Sequence, residues 1–459
     1  MTLLPLTAFE KYMVLDSHPG YDMAILMEWA FRGKINRDLI VESYKRTAQY
    51  EPLFRAVLSR QNGKYFWNVD DQYLIPLSFE TTDKSIEQCE GTRYVVSDNP
   101  EKSCGKIVIR EYSDGVAIEL YVHHAIGDGI GLSQCFTRWM KEYDLLLHGQ
   151  TDASTQISYP DGDLFPRREE FHFIPKQKLP LSKKIYDILR GIARFFSHRV
   201  LPMFKEDNID RSKLSDTFPM YWRRIDKDFF LKYREKAHSL GVSSNTLMMR
   251  DMYLALRKWI EIHPVDDKPV ERQNRWFRML IPINIRTDFH RTIPCANIVG
   301  YIFYDKSPVE CDRSDEFLQS IQKYITKCKN FNSGTTFLKV IKILRKIPGM
   351  MNLMTSEKTC HCTTILSNIG SVCNKSLQEE YCQNDDIRIE HDQYPLQLIR
   401  TLCAPPTRQH TPLSFGVMQC HNEAFISCRY DLNVITEEIM LEFYNMFVDE
   451  MIQSVKEEQ

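Results

Sequence analysis

The sequence predicts an α/β protein in which helices and mixed strands build two lobes joined by a helical connection. Three observations predict it. At 459 residues the chain exceeds one ordinary core, so two lobes of roughly 150–220 residues are expected. Strand-like and helix-like patterns alternate through both halves instead of segregating into separate blocks. No internal repeat with a period of roughly 20–50 residues is visible, which excludes a solenoid or a propeller.

The elements follow in chain order. Leu39, Ile40, Tyr44 and Ala48 recur at helical spacing after Asn36, which predicts a helix from Asn36 to Tyr50 with Asn36 as N-cap. The stretches GKYFWNV (Gly63–Val69), CGKIVIREY (Cys104–Tyr112) and GVAIELYVHH (Gly115–His124) read as strands. From Gln150 the composition turns polar and turn-rich, as expected of a crossover. It leads into Lys183–Phe204, where an apolar stripe runs between Lys183, Lys184, Arg190, Arg194 and Arg199, the pattern of a basic amphipathic helix. A second lobe begins near TFPMYWRRID, with helices expected over Ser244–Ile260, Asp315–Lys329 and Glu437–Val455. Its strands are WFRMLIPINI, IVGYIFY, TTILSNIG, LSFGVMQC and AFISCRYD. The expected domains are therefore 1–170 for the first lobe, 171–220 for the crossover and 221–459 for the second lobe.

Composition narrows the function. Hydrophobic residues at 43% and charged residues at 26% describe a globular chain. With 59 basic against 61 acidic side chains there is no global basic field, and nucleic acid is not an expected partner. The opening MTLLPLTAFEKYMVLD has neither a positive n-region nor a long apolar core. No apolar run reaches the roughly 18–20 residues that span a bilayer. A cytoplasmic monomer is expected, with its thirteen cysteines as reduced thiols. The basic helix at 183–204 allows peripheral membrane contact.

The chemistry concentrates in YVHHAIGDGIGL, Tyr121–Leu132. Strand alternation puts Val116, Ile118, Leu120, Val122 and His124 on one face, and Ala117, Glu119, Tyr121 and His123 on the other. Neighbouring histidines on opposite faces cannot chelate one ion, and no third ligand stands at zinc-like spacing, so no metal site is expected. GDGIG is spaced G-x-G-x-G, unlike a dinucleotide loop. Two readings stay open on the residues alone. His124 is either a satisfied core histidine or, at the end of an apolar row where desolvation favours the neutral imidazole, a general base. Gly127, Asp128 and Gly129 then break the strand before an amphipathic helix through Leu132, Phe136, Trp139 and Tyr143.

HHAIGDG at His123–Gly129 resembles the HHxxxDG motif of the condensation-domain and acyltransferase superfamily. That group includes nonribosomal peptide condensation domains, wax-ester and alcohol acyltransferases and, more distantly, chloramphenicol acetyltransferase. LPLTAFEKYMVLD (Leu4–Asp16) is similar to the family's opening helix, and YEPLFRAVL (Tyr50–Leu58) resembles a further segment, keeping Leu53 and Arg55. LIPINIR (Leu280–Arg286), ANIVGYIF (Ala296–Phe303), LSNIG (Leu366–Gly370) and the late hairpin LSFGVMQCHNEAFISCRYD are similar to its second-lobe strands. Gln49-Tyr50 departs from the usual Arg-His, and no Asp-Phe-Gly-Trp-Gly follows, which argues against the plant branch.

The resemblance implies two chloramphenicol-acetyltransferase-like lobes around a tunnel with HHAIGDG near its midpoint. It implies an acyltransferase: an acyl thioester, on CoA or on a phosphopantetheinyl carrier protein, meets a hydroxyl or amine acceptor. His124 would act as general base without an acyl-enzyme and with no bound cofactor. Oxyanion or substrate contacts would come from Gly129, Ser367 or Asn368. His123, Asp128, Arg55 and Arg286 would support the site, Asp128 pairing with one of the two arginines. Amide-forming peptide condensation is the alternative activity, and a non-catalytic thioester- or carrier-binding module is the alternative of another class.

Overall fold

A computed structural model of the chain describes residues 2–88, 91–96, 100–150, 157, 159–171, 181–205, 217–265, 274–331, 333–371 and 387–456. Two mixed sheets carry the fold. The first runs in the order β13 (Arg388–Ile389), β14 (Leu396–Ala404), β2 (Ala24–Gly33), β8 (Gly115–His123), β7 (Gly105–Glu111) and β5 (Leu77–Thr81). The second runs β11 (Val299–Lys306), β10 (Phe277–Asn284), β12 (Thr364–Ser371), β15 (Leu413–Cys420), β16 (Glu423–Tyr430), β9 (Thr217–Ile225) and β6 (Gly91–Val96). A small sheet of β1 (Thr2–Pro5), β4 (Lys64–Val69) and β3 (Ala56–Gln61) flanks the first.

The helices start where the sequence supplies caps. Helix α1 (Ala8–Leu15) opens on a reciprocal Thr7–Glu10 capping box. Asn36 caps α2 (Arg37–Gln49), its carboxamide oxygen accepting from the Asp38 and Leu39 amides. Asp128 caps α3 (Gly129–Leu147) in the same way. Helix α4 (Leu181–Ser197) is shorter than its sequence pattern. Beyond it the chain straightens, Val200 bridges to Trp276, and Leu201 and Met203 turn into the second-lobe core. The stripe through residue 204 therefore belongs to two elements, a helix and a buried extended segment. Helices α5 (Lys227–Ser239), α6 (Ser244–Ile262) and α7 (Asp315–Asn330) precede α8 (Ser333–Leu344), the short α9 (Met350–Met354) and α10 (Glu437–Lys456).

Two hydrophobic cores result. The outer core packs α5, α6, α7 and α10 against one face of the second sheet, around Trp259, Phe415 and Phe447. The other core is shared between lobes: Trp29, Ile118 and Phe136 of the first belong with Leu280, Tyr301, Ile365 and Met418 of the second. The lobes also exchange strands. β14, late in the sequence, pairs with β2 in the first sheet, and β6, early in the sequence, pairs with β9 in the second. The turn after β8 thus sits against a continuous apolar contact between the lobes.

Candidate active site

Strand β8 is buried along its whole length between β2 and β7. It ends at His123, one residue earlier than the sequence pattern, and His124–Ile126 form a single 3-10 turn. Pairing with β2 nevertheless reaches into the turn, since the His124 amide donates to the Met23 carbonyl at 2.6 Å. The first turn residue is therefore held as firmly as a strand residue while its side chain leaves the sheet.

The two histidines face different surroundings. His123 is 3% exposed, and its Nδ1 accepts from the Ala125 amide at 3.1 Å. That bond requires a neutral ring, and burial pushes its pKa down to about 3. His124 is only partly buried. Its Nδ1 lies 3.1 Å from the Gly127 carbonyl oxygen, which can only accept, and 3.3 Å from Asn297 Nδ2, whose shorter bond of 2.7 Å goes to the His124 carbonyl; the Gly127 oxygen thus favours the proton on Nδ1. Nε2 is left with its lone pair. It makes no hydrogen bond among the described residues and is not one of the fully buried unpartnered nitrogens, so it is not completely sealed. Burial of the ring lowers the His124 pKa below the ordinary imidazole value, opposed by its own carbonyl, by the Asp128 charge and by the Gly127 carbonyl. A neutral imidazole with a favoured tautomer and an Nε2 not completely sealed is a proton acceptor at neutral pH.

The turn is clamped from the second lobe. Asp128 spends Oδ1 on the Ile130 and Gly131 amides at 3.0 and 2.9 Å. Its Oδ2 accepts from Arg286 Nη1 at 2.9 Å and from the Ile298 amide at 2.6 Å. Both side chains of this ion pair are 6% exposed. Asn297 donates through Nδ2 to the His124 carbonyl at 2.7 Å, and Glu51 accepts from the Cys295 amide at 2.6 Å. Segment 286–298 thus grips the loop by side chain and backbone alike.

Of the residues singled out in the sequence, the structure brings together His123, His124, Asp128, Gly129 and Arg286. Gly129 has a steric reason to be glycine, because a Cβ there would lie 2.3 Å from Ile369 Cδ1 of β12. Ser367 and Asn368 are on that same strand but point apart. Ile365 faces the shared core and Leu366 the outer one, so alternation puts Ser367 on the inter-lobe side and Asn368 on the other. Asn368 also spends Oδ1 on the Gly370 amide at 3.0 Å, where β12 bulges. Arg55 is not at Asp128. It donates to the Ala48 and Gln49 carbonyls at 3.0 and 2.9 Å, closing the end of α2, and pairs with Asp71. Sequence reading missed Asn297, whose one signal is a polar residue at the head of the apolar run IVGYIF.

Two cavities lie away from the loop. A void of about 10 Å³ adjoins Asp16, His18 and Arg408. An open groove of about 550 Å³ runs past Arg32, Arg388 and His391, at the end of β2 remote from His123. The tunnel expected around HHAIGDG is neither of these.

No protein-family model and no curated protein matches the chain by sequence. Solved structures match it along nearly its full length, and they define its class: the chain has the fold of nonribosomal peptide synthetase condensation domains. The first condensation domain of the CDA synthetase superposes with a TM-score of 0.66 at 10% identity, over 99% of this chain and 96% of that one. SgcC5 from Streptomyces globisporus, solved with a naphthyl ethanediol and sucrose, gives 0.66 at 12% identity, over 98% of each chain. The nonribosomal peptide synthetase FmoA3, with AMPPNP bound, gives 0.64 at 13% identity. This chain is covered completely in that match and spans 43% of FmoA3. At such identities the likeness speaks of the fold.

Proposed function

We propose that the protein transfers an acyl group from a thioester to a hydroxyl or amine, with Nε2 of His124 as general base. The observation that carries this reading is the tautomer of His124. A proton held on Nδ1 by the Gly127 carbonyl leaves the lone pair on Nε2, which has no protein partner among the described residues.

The step balances without a covalent enzyme intermediate. The acceptor X–H attacks the thioester carbonyl carbon as its proton passes to Nε2. The C–S bond then breaks, and the thiolate takes that proton back from Nε2. Holding both substrates against one imidazole supplies the proximity term. The tetrahedral oxyanion needs a donor. Asp128 occupies the Ile130 and Gly131 amides, so the Gly129 amide is the first-turn N–H of α3 left for it. Ser367, on the inter-lobe face of β12, is the side-chain donor of choice, and Asn368 is not.

CoA and a phosphopantetheinyl carrier protein both present the required thioester. The condensation domains among the structural neighbours favour an amine acceptor and peptide-type condensation, while the diol held by SgcC5 favours a hydroxyl. The test is thiol release by wild type and His124→Ala against acyl-CoAs and acyl carriers with pooled alcohols and amines. Turnover by wild type that the variant loses supports the reading. Equal turnover by both, or thioester binding without turnover, sinks it, and the latter leaves the non-catalytic binding module.

A further inference from the structure

Ten large apolar side chains are exposed among the described residues, and five of them fall on α4 and the α8–α9 stretch. Tyr186 and Leu189 are each 60% exposed on α4, and Ile343, Ile347 and Leu353 are 61, 47 and 53% exposed on the other segment. The two segments are far apart in sequence but border the same strand. β11 is the edge of the second sheet. From α4, Phe195 packs edge-on against Phe303 of β11 at 5.1 Å, and Arg194 donates to the Asp305 carbonyl at 2.9 Å. From α8, Phe337 packs on the same Phe303 at 6.0 Å, and Gly334 lies so close to Gly300 that a Cβ on Gly300 would come within 2.5 Å of it.

The charge on this edge departs from that of the whole molecule. Between Ser333 and Ser356 stand Lys339, Lys342, Arg345 and Lys346 with no acidic residue. Helix α4 adds Arg190, while its Arg194 lies beside Asp305 and Lys342 of α8 lies 3.1 Å from Glu169, which leaves Arg190, Lys339, Arg345 and Lys346 as the charges of this edge. In a chain of net charge −2 this is a local concentration of positive charge, interleaved with projecting apolar side chains. A merely solvated face would carry the charges without the protruding Leu and Ile. A conventional protein interface would be depleted in lysine at its centre. Basic and projecting apolar residues on one face are what a lipid surface with anionic headgroups recognises.

We infer that the edge formed by α4 and α8–α9 is a peripheral membrane-binding surface, selective for anionic headgroups, into which Leu189, Ile343 and Ile347 insert. No helix among the described residues is long and apolar enough to cross a bilayer, so the contact is one of lying on the surface. The inference does not depend on the acyl-transfer reading, since none of these side chains is placed in the site.

The test is flotation of the full chain with phosphatidylcholine vesicles, with and without about one-third phosphatidylserine. Wild type should float with the acidic vesicles, stay behind with neutral ones, and detach at about 0.5 M salt. Leu189→Asp/Ile343→Asp/Ile347→Asp replaces exposed side chains, so it should keep the wild-type melting temperature and lose vesicle binding at least ~10-fold. Arg345→Glu/Lys346→Glu should lose it to a similar degree. Wild type that does not float, or variants that float as well as wild type, overturns the assignment. So does a face that binds an immobilised acidic protein while ignoring vesicles.

Discussion

The end of β8 and the turn that follows it carry the same side chain under opposite conditions. At the strand end, His123 is sealed, accepts one backbone amide, and is driven to the neutral form by burial and, less strongly, by its neighbour His124. In the turn, His124 presents one nitrogen to the Gly127 carbonyl and keeps the other without a partner among the described residues and not fully sealed. Neighbours in sequence, they differ in what reaches them. The comparison teaches that surroundings and tautomer, not residue type, separate a sealed imidazole from one chemically able to accept a proton.

Substitutions can break this contrast in order of effect. His124→Ala should cost about 10²–10⁴-fold in acyl transfer while leaving the thermal transition near wild type, read by thiol release and differential scanning fluorimetry. Asp128→Ala removes one partner of a buried ion pair and two helix-cap bonds. It should destabilise the protein by ~3–5 kcal/mol in urea unfolding and lower activity with it. Loss of activity without loss of stability in that variant would move Asp128 into the chemistry.

The contrast sharpens with pH. His124 must be neutral to accept a proton, and its pKa lies below the ordinary imidazole value, so the acidic limb of kcat/KM should fall below about pH 6.5. His123 acts on stability instead. Unfolded, it titrates near 6.5, and folded it titrates near 3, so the fold favours the uncharged ring. Its contribution is complete above about pH 6.5 and is lost as pH falls toward about 3. His123→Asn keeps an acceptor for the Ala125 amide and does not titrate, so its melting temperature should fall less steeply over that range. The smallest effect belongs to Arg55→Ala: less than ~1 kcal/mol of stability, from an α2 end contact and a solvent-facing pair, with activity unchanged.

Much of this was legible in the sequence because local chemistry wrote it there. Asn36 is a cap that any reader of helix starts would choose, and β8 announces itself by β-branched residues ending in turn glycines. The pairing of Asp128 with Arg286 required a resemblance to find, since 158 residues separate them. Other elements were not legible, for physical reasons. β2 lies in the first sheet's interior and is buried on both faces from Ala24 to Phe31, so it lacks the alternation by which half-exposed strands are recognised. The end of α4 was misjudged because Val200, Leu201 and Met203 continue the apolar spacing after the backbone has left the helix. Asn297 was missed because its role is a bond to a backbone carbonyl in the other lobe, which no spacing in one sequence encodes.

The strand exchange sets the order in which a nascent chain can finish folding. The first sheet holds β2 and β8 early in synthesis, but the strand between β2 and β13 is Leu396–Ala404. At about 5–20 residues per second the growing chain waits on the order of tens of seconds for it. During that interval β2 offers an unpaired edge, and Glu28, fully buried in the finished protein, lacks Arg400, whose Nε donates to it at 2.9 Å. The ribosome therefore carries an incomplete sheet, an interval in which chaperone engagement or premature edge-to-edge association would have its opening.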